Sequence, residues 1–148
     1  MSVSRWSLVV IVVAAFAAGA MSRGLFAPVV TVHAAADRVF ELRTYTAAPG
    51  KLDALKARFR DHTVKLFEKH GITNIGYWVP ADAPQKDNTL IYIVAHSSRE
   101  AAKKSWAAFG ADPDWVKART ESEKDGRLTI QGGVTSVFLD PTDFSAIK

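Results

Sequence analysis

The sequence predicts an α+β fold of the ferredoxin-like βαββαβ kind, an antiparallel sheet with helices on one face. Three observations predict it. Val39 to Tyr45 alternates with period two, with Phe40, Leu42 and Thr44 on one side and Glu41, Arg43 and Tyr45 on the other, which is the mark of a half-buried strand. Lys51 to His70 carries Leu52, Leu55, Phe59, Thr63, Leu66 and His70 at spacings of three and four, one face of a helix. The remaining segments follow in the order strand, strand, helix, short helix, strand, which completes the split βαβ pattern.

The first 36 residues stand apart. Arg5 is a short positive start, and Leu8 to Met21 is an uncharged apolar run. That run is shorter than the ~20 residues a membrane-spanning helix needs. Small residues at the −3 and −1 positions suit signal peptidase at Val32/Ala34, Ala34/Ala36 or Ala18/Ala20. Residues 1–36 are therefore expected to be a signal peptide or an uncleaved N-terminal anchor, the only part of the chain expected to meet a membrane. Residues 37–148 form one domain, exported to the periplasm or the outside.

Removing residues 1–36 takes away Arg5 and Arg23 and no acid. Lys+Arg falls from 19 to 17 against 15 acids, and the net charge from +4 to +2. A near-neutral domain offers no electrostatic case for nucleic acid. With no cysteine, the chain has neither disulfide nor thiolate chemistry.

Each element has its own signals. Pro49-Gly50 stops the first strand, and Gly71 stops the first helix, with Lys69 and His70 in the last turn, where the helix dipole favours cations. Lys56, Arg58, Arg60, Asp61, Lys65 and Lys69 are expected mostly toward solvent. Ile72 to Val79 is the second strand, closed by Pro80, and 81–88 is a polar loop. Thr89 to His96 is apolar nearly throughout, so it is expected to be buried on both faces. Ser97 with Glu100 fits a capping box for a helix that runs to about Phe109 and ends at Gly110. Asp112-Pro113 restarts a helix, its charged length to Lys124 expected exposed. Asp125-Gly126 is a turn. Strand character from Leu128 to Leu139 is broken by Gly132-Gly133, a bulge or turn, leaving Val134 to Leu139 as the fourth strand. One face of such a sheet lies outside the helices. In a domain this small a second copy often covers it, giving a barrel built by a homodimer.

Several motifs are more specific than this pattern. Glu41-Leu-Arg-Thr-Tyr45 ahead of Pro49-Gly50, Phe67-Glu-Lys-His-Gly71, Gly76-Tyr-Trp78, Trp106 with Phe109, Asp112-Pro-Asp-Trp115, and Leu139-Asp-Pro-Thr-Asp-Phe-Ser145 occur in this order. With them the chain resembles the NIPSNAP family over roughly Phe40 to Ser145. The resemblance implies a dimeric α/β barrel related in fold to the cofactor-independent antibiotic-biosynthesis monooxygenases. It departs at the leader, because well-studied members are mitochondrial or vesicle-linked.

If Phe40 and Leu42 pack under the helices, Glu41, Arg43 and Tyr45 face the cavity of the barrel. Arg43 then either pairs with Glu41 as a structural contact or fixes an anionic or carbonyl oxygen of a ligand with its fork of donors. His96 ends the third strand, on the face of Tyr92 and Val94. It is a candidate general base or a hydrogen-bonded structural residue. Trp78 shares a face with Gly76, whose missing side chain leaves room beside the ring for a small apolar ligand; Tyr92 is the other aromatic candidate for contact. Trp106 and Phe109 read as core. No metal-binding spacing occurs, and neither a phosphate loop nor a nucleophile elbow is present, so neither a metal nor a cofactor is expected. Two functions remain open. One is a homodimer that binds a small, mostly apolar molecule through Arg43, Tyr45, Trp78, Tyr92 and His96, with Arg43 and His96 as candidates for oxygenase-like or isomerase-like chemistry. The other is a non-catalytic binding or interaction module of the cell envelope.

Overall fold

The computed structural model describes residues 38–148; the leader and its cleavage sites lie outside the described residues. Four strands, β1 (Val39–Ala47), β2 (Thr73–Trp78), β3 (Thr89–His96) and β4 (Thr129–Leu139), form one antiparallel sheet in the order β2-β3-β1-β4. The first strand thus lies inside the sheet, between β3 and the last strand.

Helix α1 (Leu52–Arg58) continues through a π-helical turn (Phe59–Thr63) into α2 (Val64–Lys69). In that turn the Val64 N–H donates to the Phe59 carbonyl five residues back. The buried Thr63 hydroxyl donates to the Arg58 carbonyl at 3.2 Å. The widened turn lets both Leu66 and Phe67 reach the core. Helix α3 (Arg99–Ala111) starts on Ser98, whose hydroxyl accepts from the Ala101 N–H at 3.0 Å. The cap is therefore one residue later than the Ser97 expected, and Gly110 sits inside the helix. Helix α4 (Pro113–Ser122) is capped by Asp112, as its sequence predicts, and buries Ala118. Arg58, expected toward solvent, is buried, paired with Glu123 at 2.9 Å and stacked over Trp115. Strand β4 runs unbroken through Gly132-Gly133. Gly132 takes φ +69° and the register with β1 shifts there, so the pair makes a bulge rather than an end.

All the helices pack on one face, as predicted, but on the opposite face to the one expected. Leu55, Phe59, Phe67 and Phe109 meet Leu90, Tyr92 and Val94 of β3, and their rings pack edge to face, Phe67 on Trp106 at 5.1 Å and on Phe109 at 4.9 Å. On β1 the helix side carries Glu41, Arg43 and Tyr45. The outer side carries Phe40, Leu42 and Thr44, beside Ile91 and Ile93 of β3 and Val137 and Leu139 of β4. The expectation rested on apolar residues going under helices. Here the polar set gathers around Glu41 beneath Trp106, and the apolar set forms a second apolar surface.

The tail after β4 folds back over part of that outer surface. Its residues Asp140, Pro141, Thr142, Ser145 and Ile147, with Phe40, Ile75, Ile93 and Leu139, line an open hollow of about 350 Å³. The Arg38 guanidinium donates to the Lys148 carbonyl. Val137 remains 55% exposed.

Candidate functional site

Glu41 is the centre of the polar layer between sheet and helices. It faces Val94 across the β3 ladder and Phe138 across the β4 ladder. Residues two further along on each neighbour, His96 and Ser136, share its face. Four donors converge on its carboxylate. Arg43 donates to Oε1 at 2.6 Å, Ser136 donates to the same oxygen, Trp106 Nε1 donates to Oε2 at 2.6 Å, and His96 Nε2 lies 3.1 Å from Oε2. Burial alone would push the Glu41 carboxyl up. Hydrogen bonds from His96, Ser136, Trp106 and Arg43 outweigh it and hold the group at about 2, so Glu41 is ionised.

An ionised Glu41 accepts only, so the proton it takes from His96 must sit on Nε2. In neutral His96 that leaves the lone pair on Nδ1. Nδ1 is buried with no hydrogen-bond partner, and so is Arg43 Nε. The Arg43 guanidinium lies 4.4 Å from the centre of the Trp106 ring, so the indole both roofs the arginine and donates to its carboxylate.

From Arg43 a line of phenols runs toward the β2 edge. Tyr92 donates its hydroxyl to the Tyr45 hydroxyl at 3.2 Å, and the Tyr77 ring stacks on Tyr92 at 5.2 Å. Tyr77 donates to Asn74, whose amide donates on to Glu68 at 3.2 Å. Burial pushes the Tyr92 and Tyr77 phenols up, so both stay protonated. Phe59, set by the π turn, touches Tyr45, Tyr92 and Tyr77 at 5.6, 5.2 and 5.9 Å.

Of the residues picked from the sequence, Arg43 and His96 meet on Glu41, and Tyr45 and Tyr92 bond to each other beside Arg43. Trp78 stands apart. It pairs with Ile91 at the β2 edge and is 51% exposed. Its ring fills the space over Gly76, where an added Cβ would lie 2.6 Å from it, so the room expected beside the ring is occupied by the ring itself. A separate hollow of about 300 Å³ opens there, walled by Phe59, Tyr77, Trp78 and Leu90 with Lys56 and Arg60 at its rim. His70, read as a helix-end cation, bonds to Asp112 at 2.6 Å with Lys69 beside it, and so ties α2 to the start of α4. Lys69 and His70 together hold the Asp112 carboxyl well below the usual range.

Sequence reasoning missed Glu41 as the hub and the donors Trp106 and Ser136. A buried indole N–H needs an acceptor, which is the signal Trp106 carried. Ser136 carried none, because only the β1–β4 register brings it across.

The NIPSNAP family model matches residues 40–146. The chain belongs to the NIPSNAP family. A NIPSNAP family protein of unknown function from Agrobacterium tumefaciens superposes with a TM-score of 0.64 at 21% identity, over 78% of this chain and 98% of its own. A NIPSNAP-like domain protein from Burkholderia xenovorans gives 0.62 at 17%, over 74% and 89%. A putative antibiotic biosynthesis monooxygenase from Nitrosomonas europaea gives 0.51 at 14%, over 74% and 95%. At these identities the likeness concerns the fold alone. No curated protein matches the chain. The segment Glu41-Leu-Arg-Thr-Tyr45, near the start of the matched range, supplies the hub of the polar layer, its arginine and the first phenol of the line, all on the helix side of β1.

Proposed function

We propose that this NIPSNAP protein is exported and works as a homodimer that binds a small, mostly apolar molecule between sheet and helices and moves a proton on it without a cofactor. One observation carries the chemistry. Beside an ionised Glu41, His96 Nδ1 and Arg43 Nε are both buried without partners; among the described residues Arg58 Nε, on α1, is the other such side-chain atom. Buried polar atoms are seldom left unmatched, and the exceptions gather at working sites. His96 is oriented as a base, and Arg43 is a donor for the oxygen that gains charge when a proton leaves a neighbouring carbon. Returning the proton to another carbon is isomerisation. Passing the electron pair to dioxygen is the oxygenase alternative, in keeping with the fold shared with the Nitrosomonas protein. Tyr45 and Tyr92 would bound the ligand beside Arg43. The leader supports export, and the apolar outer face, with Val137 and Leu139 exposed, supports pairing with a second copy.

A second function, a binding module without catalysis, is favoured by the four donors on Glu41, all of which are the chain's own side chains. Native mass spectrometry of the full-length gene product recovered from outside the cytoplasm separates the two. A dimer carrying a discrete extra mass of a few hundred daltons, absent when Arg43 is replaced by Ala, supports the site. A bare dimer favours the module, and a monomer removes the homodimer from both.

A further inference from the structure

We propose that the hollow at the β2 edge is a second ligand site, one that takes an amphipathic organic anion such as an aromatic carboxylate. It is distinct from the Glu41 centre. Leu90 in its wall stands four residues along β3 from Val94, which faces Glu41, roughly 14 Å at ~3.4 Å per residue, and Tyr45, opposite Leu90, lies between the two.

Its chemistry is one-sided. The wall is formed by Phe59, Tyr77, Trp78 and Leu90, and the charged residues lining it are two cations, Lys56 and Arg60, with no carboxylate among them. Lys56 holds Asp53 at 2.7 Å, an exposed pair that solvent screens and an incoming carboxylate can displace. Arg60 makes no ion pair among the described residues. A volume of about 300 Å³ suits a one- or two-ring molecule.

Two features of the backbone build this wall. The π turn sends Phe59 inward onto Tyr45, Tyr77 and Tyr92, while its neighbour Arg60 stays at the rim. Such single π turns occur often at functional sites, because the register they impose is less favourable than a plain helix. On the strand side, Gly76 makes room for the Trp78 ring on the outer side of the edge strand, opposite Ile91, so that Trp78 meets the hollow from across that edge. A ring of the ligand packs on Phe59 and Tyr77, and its carboxylate meets the planar fork of Arg60, which matches it in two parallel hydrogen bonds.

The test is a titration of the full chain with two probes of matched ring, 2-naphthoate and 2-naphthalenemethanol, followed by calorimetry and tryptophan fluorescence. Naphthoate is expected to bind on the order of tenfold tighter than the alcohol, as a hydrogen bond to a charged group allows. Arg60→Gln is expected to abolish that preference, and Arg119→Gln, on α4 and away from the hollow, to leave it. Trp78→Phe should remove the fluorescence change that naphthoate causes. Equal binding of the two probes, a preference that survives Arg60→Gln, or binding of neither would overturn the proposal. Glu41 variants that stay folded should bind naphthoate as the natural chain does, which keeps this site separate from the one proposed above.

Discussion

Glu41 is buried, so its charge rests on four donors, one from its own strand and three from other segments. The folded carboxyl titrates at about 2, and a free glutamate at about 4.5. Between those values the unfolded chain takes up a proton that the folded one refuses, so acid favours unfolding. The stabilisation is fully present above pH 4.5 and is lost as pH falls to about 2. It amounts to about 3 kcal/mol at neutral pH. Glu41→Gln should therefore lower neutral-pH stability by roughly 2–4 kcal/mol, because it also leaves the Arg43 charge without its counterion. Urea melts at a series of pH values should show the gap between variant and natural chain narrowing below pH 4.5. Trp106→Phe keeps the ring and loses the donor, and should cost about 1–3 kcal/mol in the same melts. Of this site, the sequence showed Arg43, Tyr45, Tyr92 and His96, since strand alternation fixes which residues share a face. It could not show that they converge on a carboxylate, because Ser136 and Trp106 reach Glu41 across 95 and 65 residues of chain.

The elements were legible wherever a local signal decides them. Asp112-Pro113 caps α4, Gly71 ends α2 at φ +72°, and both strands around the polar loop fall where alternation and proline put them. Local signals failed where a tertiary contact overrode them. Gly132-Gly133 is a bulge, one of the two readings its sequence allows, yet the strand begins before it, at Thr129 rather than Val134, because the chain pairs with β1 on both sides of it. At Gly133 an added Cβ would lie 2.6 Å from the Ile130 side chain and 2.8 Å from the Thr46 carbonyl oxygen. Gly133→Ala is expected to destabilise by about 1–3 kcal/mol in chemical denaturation, since a backbone atom cannot turn aside as a side chain can. The π turn was hidden for a related reason. Leu52, Leu55, Phe59, Thr63 and Leu66 satisfy an ordinary helical stripe, and only the additional burial of Phe67 demands the wider turn.

At the scale of the whole molecule, the sheet separates two apolar layers of different kinds. The helix side is packed by rings and opens only toward the β2 edge, while the outer side keeps Val137 exposed beside Leu42 and Leu139. The proposed pairing of two copies through this face would be abolished by Val137→Glu, since the buried charge would have no partner. Sedimentation should then show a monomer with an unchanged circular dichroism spectrum. Which face of β1 meets the helices was beyond the sequence, because either set of alternating residues is consistent with a two-layer fold.

The place of β1 inside the sheet also sets an order of events. The chain makes this strand first among the described elements, yet one of its edges waits for β4, the last of them. Until Ser136 arrives, Glu41 lacks a donor and β1 shows an open row of amides. A ribosome must therefore release nearly the whole polypeptide before the sheet can close, and a chain cut short anywhere before Thr129 carries a permanent unpaired edge that marks it as unfinished.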